Sequence, residues 1–229
     1  RSRSRAWLSR SLRRRSTRLP VEAWPQNARL HDRPWPATFS AVLARWADEV
    51  AALRDELVAA LFTDTGRWTI SVGEVDGAIR NIRRWAAQAP SLVEETEFPS
   101  RLLPTVTIRD QYVPYTLACC ISPWNFPVTL SLIDAVPALA AGCAVLVKPS
   151  EVTPRFIVPL QRALHRVPEL ASVFALVTGG ADTGRALVAV ADVVCFTGSV
   201  ATGRKVAEAA AARFIPAFLE LGGKDPAVV

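Results

Sequence analysis

The sequence predicts an α/β fold, a doubly wound, Rossmann-like parallel sheet preceded by N-terminal helices and a β-hairpin. The first observation is a series of short, uninterrupted apolar runs, such as residues 144–148 (AVLVK) and 193–196 (VVCF). Strands of this kind are buried on both faces, as in parallel sheets. The second observation is that helical patterns separate these runs from residue 128 onward. This alternation is typical of right-handed strand–helix–strand connections.

Two amphipathic helices are predicted before the sheet. Apolar residues from Phe39 to Leu61 recur every three or four positions, which predicts one helix that ends at residues 63–66 (TDTG). A second stripe at 72–85 predicts a helix that ends near Pro90. Both helices are interpreted as packing elements without chemistry of their own.

The remaining elements follow from shorter patterns. Residues 102–109 and 112–121 are rich in β-branched and aromatic side chains and are predicted to pair as a hairpin. The later elements are predicted as a helix at 130–141, a strand at 144–148, a helix opened by Thr153 and Pro154, a strand at 173–177, a helix at 183–190, a strand at 193–196, a helix at 200–212 capped by Ser199, and a strand at 214–219.

The net charge of +6 is local. Residues 1–18 hold eight arginines and no acid, and the rest of the chain has 19 basic against 21 acidic residues, a net charge of −2. The body therefore gives no reason to expect nucleic acid as a partner. For the leader, a transit peptide, an RNA-binding arm and a solvated or upstream extension stay open. The chain contains no Met, so we expect a fragment.

Cysteine and histidine usage excludes several kinds of site. Cys119, Cys120, Cys143 and Cys195 form no CxxC pair, and the chain has only two histidines. We therefore expect neither a metal site nor a histidine-dependent triad, and we interpret the thiols as reduced in a cytoplasmic protein. No apolar run is long enough to span a membrane, so no membrane partner is expected.

Polar residues follow the predicted strands at their carboxyl ends, where parallel sheets bind ligands. Residues 121–127 (ISPWNFP) form a loop in which two prolines fix the backbone on either side of Asn125, so the loop can present one side-chain amide accurately. Lys148 and Glu151 lie three residues apart and could hydrogen-bond a ribose. Each of these features also has a plain structural interpretation, as a turn or as a surface ion pair.

Two further strand ends carry glycines. Gly198 and Gly203 flank a helix start, where backbone N–H groups favour an anion, although neither a P-loop nor a GxGxxG pattern is complete. Glu220 precedes two glycines and is a candidate general base, with a turn carboxylate paired with Lys224 as the alternative.

Taken together, PWNFP at 123–127, KPSE at 148–151, FTGS at 196–199 with Gly203, and ELGGK at 220–224 resemble the aldehyde dehydrogenase superfamily in order and spacing. The resemblance covers about residues 38–229. It implies an incomplete aldehyde dehydrogenase fold, with a leader at 1–20, an N-terminal extended segment with helices at 21–100, oligomerisation-type paired strands at 101–121 and an NAD-binding domain at 122–229.

The resemblance implies NAD(P)-dependent oxidation of an aldehyde to an acid, with an attacking Cys thiolate. Asn125 is then the oxyanion donor and Glu220 the general base. NAD is expected rather than NADP, because the Glu151 carboxylate would repel a 2′-phosphate. A homo-oligomer is expected for the intact enzyme. Cofactor contacts are implied for Ile121, Ser122, Pro123, Trp124, Lys148, Ser150, Glu151, Gly179, Gly184, Phe196, Thr197, Gly198, Ser199, Gly203, Leu221 and Gly222.

The sequence departs from the family pattern in two places. In the family the nucleophilic cysteine follows the ELGGK glutamate by a few dozen residues, and none of the four cysteines occupies that place. The segment 177–184 (VTGGADTG) is one residue shorter than the family's glycine-rich loop. We therefore expect the fragment to be inactive by itself, with a non-catalytic nucleotide-binding module or pseudoenzyme as the alternative.

Overall fold

The computed structural model describes residues 35–223 and residue 226. Three helices come first, a hairpin follows, and strands and helices alternate thereafter. The elements are α1 (Trp35–Ala52), α2 (Arg54–Thr65), α3 (Trp68–Leu92), β1 (Thr96–Pro99), β2 (Thr107–Asp110), β3 (Leu117–Ile121), α4 (Pro127–Leu132), α5 (Ala135–Ala140), β4 (Ala144–Lys148), α6 (Ile157–His165), α7 (Pro168–Ala171), β5 (Phe174–Leu176), α8 (Ala181–Val188), β6 (Val193–Gly198), α9 (Val200–Ala211) and β7 (Ala217–Leu221).

Five parallel strands form the main sheet in the order β5-β4-β3-β6-β7. Successive residues of a strand point to opposite faces, and here each face is covered by helices. Ala118, Cys120 and Val145 contribute to a large apolar cluster that includes residues of α1 to α7. Cys119 and Leu146 contribute to a smaller cluster that includes residues of α8 and α9. The predicted doubly wound α/β fold is confirmed.

The predicted pairing of 102–109 with 112–121 is wrong. The hairpin instead pairs β1 with β2, from Thr96 opposite Asp110 to Pro99 opposite Thr107. The strand β3 lies at the centre of the main sheet, between β4 and β6. A local hairpin pattern and a buried central strand look alike here because both are rich in β-branched and apolar residues.

Helix boundaries differ from the predictions at several points. The first predicted helix is divided at Leu53, and the helix predicted at 130–141 is divided into α4 and α5. Pro90 lies inside the end of α3 rather than beyond it. The helix predicted to open at Thr153 and Pro154 begins at Ile157. The last strand begins at Ala217, three residues later than predicted, so Glu220 lies within β7 and not after it.

The predictions for the chain ends fall largely outside the described residues, whereas the structure bears on membrane-spanning helices. The leader at 1–20, the segment up to residue 34, and Lys224 lie outside the described residues. Among the helices that the structure describes, none has both the length and the apolar character needed to cross a membrane.

Substitution of Leu146 by Ala tests the packing of the central sheet. Leu146 is 1% exposed and lies in the smaller cluster. We expect Leu146→Ala to lower the free energy of unfolding by about 2–5 kcal/mol, because the deletion removes buried methyl groups and leaves a cavity. Urea unfolding measures this loss. The control is Leu102→Ala, where the side chain is 90% exposed and the same deletion should change stability by about 0.5 kcal/mol or less; equal losses would contradict the assignment of the core.

Candidate active site at the carboxyl edge of the sheet

The strand order places a topological switch point beside β3. The chain proceeds from β3 to β4 and β5 on one side, and then returns to β6 and β7 on the other side. The carboxyl ends are aligned, since Ile121 pairs with both Lys148 and Phe196. In open parallel sheets, ligands bind beyond the carboxyl ends at such a switch point.

The loop at residues 122–126, here called the Asn125 loop, leaves the end of β3. Ser122 N donates to Lys148 O at 3.1 Å, and the buried hydroxyls of Ser122 and Ser131 are 2.7 Å apart. Further along, the Thr153 hydroxyl donates to Trp124 O at 3.2 Å. Pro123 is half-buried, whereas Trp124 and Asn125 are exposed. The loop is thus held through its backbone, and Asn125 is exposed within it.

Helix α3 contacts the Asn125 loop through two charged residues that sequence reasoning missed. The Arg67 guanidinium, at the start of this helix, donates to the backbone oxygen of Asn125 and lies 5.0 Å from the centre of the Phe126 ring. Glu74 is 6% exposed and accepts hydrogen bonds from backbone N–H groups that follow the loop. Helix α3 thus contacts the Asn125 loop through charged side chains, in addition to packing against the core through its apolar face.

Lys148 and Glu151 come together at the end of β4. Lys148 is 5% exposed, and its Nζ donates to Glu151 Oε2 at 3.0 Å and to Pro149 O at 3.1 Å. A backbone hydrogen bond within Glu151 and the bond from Lys148 lower the pKa of the Glu151 carboxyl. The Ser150 hydroxyl accepts from Val152 N at 3.2 Å, within the same turn.

Glycines line the edge where side chains would not fit. Gly179 has φ +150°, and a Cβ there would lie 2.0 Å from the Thr183 hydroxyl oxygen. A Cβ on Gly203 would lie 2.3 Å from a Leu221 methyl group. At both glycines the backbone lies closer to a neighbouring side chain than a residue with a Cβ would allow. The starts of α8 and α9 face this edge.

The start of α9 has the predicted cap. Ser199 Oγ accepts from Thr202 N at 3.2 Å, which confirms Ser199 as the N-cap residue. Phe196 is 4% exposed and packs within the smaller cluster, under Gly198 and Gly203. Gly184 is buried, and a Cβ there would meet Ile121 and Lys148 at 3.8 Å.

Glu220 lies in β7, opposite Thr197 of β6, and Leu221 lies opposite Gly198. The Glu220 side chain is exposed, as is Gly222 beyond the strand. Burial and the negative charge of Glu220 raise the pKa of Asp134, a half-buried carboxyl between α4 and α5. Asp134 is a second acidic group near this edge that the sequence patterns did not indicate.

The four cysteines lie in or beside the strands. Cys119 and Cys120 are in β3, Cys195 is in β6 opposite Cys120, and Cys143 precedes β4. Burial raises the pKa of Cys119, and it raises that of Cys143 to about 11. The interaction between the Cys120 and Cys195 thiols raises the pKa of Cys120 and lowers that of Cys195. Within the described part of the chain, no group of three or more His, Cys, Asp or Glu side chains is placed to hold a metal ion.

Comparison with known proteins accounts for this combination of fold and motifs. The family model described as "Aldehyde dehydrogenase family" matches residues 20–229. The chain belongs to the aldehyde dehydrogenase family. It is 36% identical over 208 residues to a Mycolicibacterium smegmatis protein named as a candidate NADP⁺-linked succinate-semialdehyde dehydrogenase. The alignment covers 88% of this chain and 40% of that relative.

Two solved structures show how much of an aldehyde dehydrogenase is present. A candidate aldehyde dehydrogenase from Anabaena variabilis is 52% identical, with a TM-score of 0.79, and the match covers 82% of this chain and 40% of that one. An NAD-dependent benzaldehyde dehydrogenase from Corynebacterium glutamicum is 30% identical, with a TM-score of 0.73. The match covers 87% of this chain and 45% of that one. The chain therefore spans about two fifths of the length of the relatives that it matches.

Alkylation with iodoacetamide tests the placement of the cysteines. A thiol with a pKa of about 11 is ionised to about one part in a thousand at pH 8, so Cys143 should react slowly, and buried Cys119 and Cys120 should react slowly as well. Cys195, with its lowered pKa and half-buried side chain, should be labelled first. Mass spectrometry of timed digests measures the order. Denatured protein, in which all four should react at similar rates, is the control; early native labelling of Cys119 would contradict the structure.

Proposed function

We propose that this chain supplies the cofactor-binding part and two active-site side chains of an enzyme that oxidises an aldehyde to a carboxylic acid with NAD. The observation that carries the proposal is the convergence of the matched motifs on one sheet edge. The loop with Asn125, the Lys148–Glu151 pair, the Ser199-capped helix and Glu220 all follow or end neighbouring strands there. Because the chain belongs to the aldehyde dehydrogenase family, we interpret this group of residues as part of an aldehyde-oxidising site.

In the proposed reaction, a thiolate attacks the aldehyde carbon and the carbonyl oxygen becomes an oxyanion. The Asn125 amide donates a hydrogen bond to this oxyanion, a contribution that is strongest where water is excluded. Collapse of the oxyanion expels a hydride from the substrate carbon, which bound NAD would accept, and leaves a thioester. Glu220 then accepts a proton from the water that hydrolyses this thioester and releases the thiolate. The strand β7, which carries Glu220, lies two strands from β3, which leads into the Asn125 loop; the two strand axes are therefore about 10 Å apart at ~4.8 Å per strand.

The nucleophile in this proposal is a cysteine outside residues 1–229. Cys119 and Cys120 are buried within β3, and Cys143 is buried before β4. Cys195 faces the large cluster beside Cys120 rather than the carboxyl edge. The raised pKa values of the buried thiols disfavour the thiolate that the attack requires.

The residues at the edge fit a nicotinamide dinucleotide. Lys148 and Glu151 present an ammonium and a carboxylate to a ribose. The Ser199-capped start of α9 and the glycine-rich start of α8 offer backbone N–H groups to phosphates. When bound, the nicotinamide accepts the hydride that the substrate carbon loses. The proposed contacts also include Ile121, Ser122, Pro123, Trp124, Ser150, Gly184, Phe196, Thr197, Gly198, Leu221 and Gly222.

We propose NAD rather than NADP as the cofactor. Glu151 is exposed beside the proposed ribose site, and its lowered pKa keeps it negatively charged at neutral pH. A 2′-phosphate would therefore meet a like charge. Relatives carry both kinds of name, since one is named for NADP⁺ and a solved neighbour for NAD.

We also propose that the intact protein is a homo-oligomer and that it is cytoplasmic. The hairpin of β1 and β2 is exposed along its whole length, and Phe98 and Ile108 are 44% and 38% exposed. Such a surface supports the proposed homo-oligomer, because exposed apolar side chains favour a protein partner. The free cysteines support a reducing, cytoplasmic location.

A non-catalytic nucleotide-binding module is the second candidate function. It is favoured by the absence of a nucleophilic cysteine from the carboxyl edge, as far as the structure describes it. The two functions differ in the natural full-length polypeptide: an enzyme reduces NAD in the presence of an aldehyde, whereas a module binds NAD without turnover. The 229-residue chain alone should show no turnover under either proposal.

Substitution of Asn125 tests the proposed reaction. In the full-length polypeptide, Asn125→Ala should lower kcat by about 10²–10³-fold because the oxyanion loses a hydrogen bond. The Kd for NAD should stay within about twofold, since the amide does not bind the ground-state cofactor in this scheme. Stopped-flow absorbance of NADH formation and calorimetric titration with NAD measure the two quantities. Unchanged kcat would remove Asn125 from the reaction.

Substitution of Glu151 tests the cofactor preference. Glu151→Gln removes the negative charge but keeps a hydrogen-bonding side chain, so the ratio of kcat/KM for NADP to that for NAD should rise by about 10-fold. Steady-state kinetics with each cofactor give the ratio. Glu169→Gln, at an exposed glutamate on α7 paired with Arg45, is the matched control. A ratio that does not move would contradict the proposed repulsion.

A further inference from the structure

Glu74 is a buried carboxylate that the proposed reaction does not use. It lies on the inner face of α3, between buried Ser71 and Ala78, and is 6% exposed. Its Oε1 accepts from Val128 N at 2.7 Å and from Thr129 N at 2.9 Å. Burial raises the pKa of the Glu74 carboxyl, and the two backbone hydrogen bonds act against that rise. A buried carboxylate is costly unless its oxygens are hydrogen-bonded, so these contacts reduce the cost of a charge here.

The two N–H groups belong to the first turn of α4, which begins directly after the Asn125 loop. Pro127 opens this helix, and the preceding residue, Phe126, makes no side-chain cap hydrogen bond. The first N–H groups of a helix have no partner within the helix. Glu74 therefore caps α4 from another helix, and it fixes the backbone three residues beyond Asn125.

Arg67 contacts the same loop at a second point. It lies seven residues before Glu74, or about two helical turns, and it donates to the backbone oxygen of Asn125 itself. Its guanidinium also lies over the Phe126 ring. One helix thus holds the loop with a cation on a carbonyl group and with an anion on two amide groups. Between these points, Pro127 fixes one more φ angle.

We propose that Glu74 and Arg67 are positioning residues for the side-chain amide of Asn125. They act through the backbone: with residue 125 held at its oxygen and residues 128 and 129 held at their nitrogens, the Asn125 side chain starts from one fixed backbone position. This inference rests on the proposed function of Asn125. Oxyanion donors act over a narrow range of distance, and a misplacement of about 1 Å can cost about 10²-fold in rate.

A double-mutant cycle in the full-length polypeptide tests the proposal. Glu74→Ala should lower kcat by about 10–100-fold when Asn125 is present, by the effect of misplacement on a donor. In an Asn125→Ala background the same change should cost less than about threefold, because no amide is left to position. Arg67→Ala, a change at a partly exposed residue, provides a second cycle should Glu74→Ala fail to fold. Glu74→Gln, whose amide oxygen can still accept both bonds, should restore most of the rate.

The matched control is Asp76→Ala, which removes a carboxylate from the same helix. Asp76 pairs with Arg54 of α2, at 2.6 Å, rather than with the loop. Asp76→Ala should leave kcat unchanged in each background, relative to the wild type in the first and to Asn125→Ala in the second. Equal losses from Glu74→Ala in the two backgrounds would overturn the proposal, since a general loss of structure does not depend on Asn125.

Hydrogen exchange separates this proposal from the proposed function. In peptides that span residues 122–130, Glu74→Ala should increase the rate of deuterium uptake by about 10-fold or more, because two amide hydrogen bonds are lost. Unchanged uptake in those peptides overturns the positioning proposal and leaves the function of Asn125 intact. Full activity of Asn125→Ala overturns the proposed function, and the catalytic part of this proposal with it, whatever the exchange shows.

Discussion

The parallel pairing of β3 between β4 and β6 is the constraint on which the rest of the molecule depends. It places Ile121 beside both Lys148 and Phe196, so the loops that leave these strands meet at one edge. The register also decides the core, because Cys119 faces one apolar cluster and Cys120 the other. A slip of one residue would exchange the two faces and move the Asn125 loop away from Lys148.

Local signals in the sequence predicted most of this arrangement. The strand β4 was predicted with its observed bounds, and α9 with its Ser199 cap, because a continuous apolar run and a capping hydroxyl are properties of a few adjacent residues. The pairing of β3 could not be obtained in the same way. Its partner in β6 lies 75 residues further along the chain, from Ala118 to Val193. The nearer segment 102–109 (LLPTVTIR) also has a strand pattern, so the sequence favoured a local pairing.

In the candidate site, too, the sequence indicated local features but not contacts between distant residues. Motifs at the strand ends indicated Asn125, Lys148, Glu151 and Glu220 as site residues, and their functional roles stay predictions. The contribution of α3 was missed because Glu74 and its partners are more than 50 residues apart. One signal was nevertheless present: Glu74 falls on the helix face of Ala78 and Ile82, where an apolar side chain is expected. A carboxylate on such a face requires a hydrogen-bond donor from elsewhere in the fold.

The strand β7 has a neighbour on one side only, β6, among the residues that the structure describes. Its outer row of backbone N–H and C=O groups is left to water or to another extended segment, and Phe218 beside it is 61% exposed. A row of this kind is a template for strand addition. An extended segment that reaches this row, from elsewhere in the polypeptide or from a second copy, can therefore lengthen the sheet beyond β7.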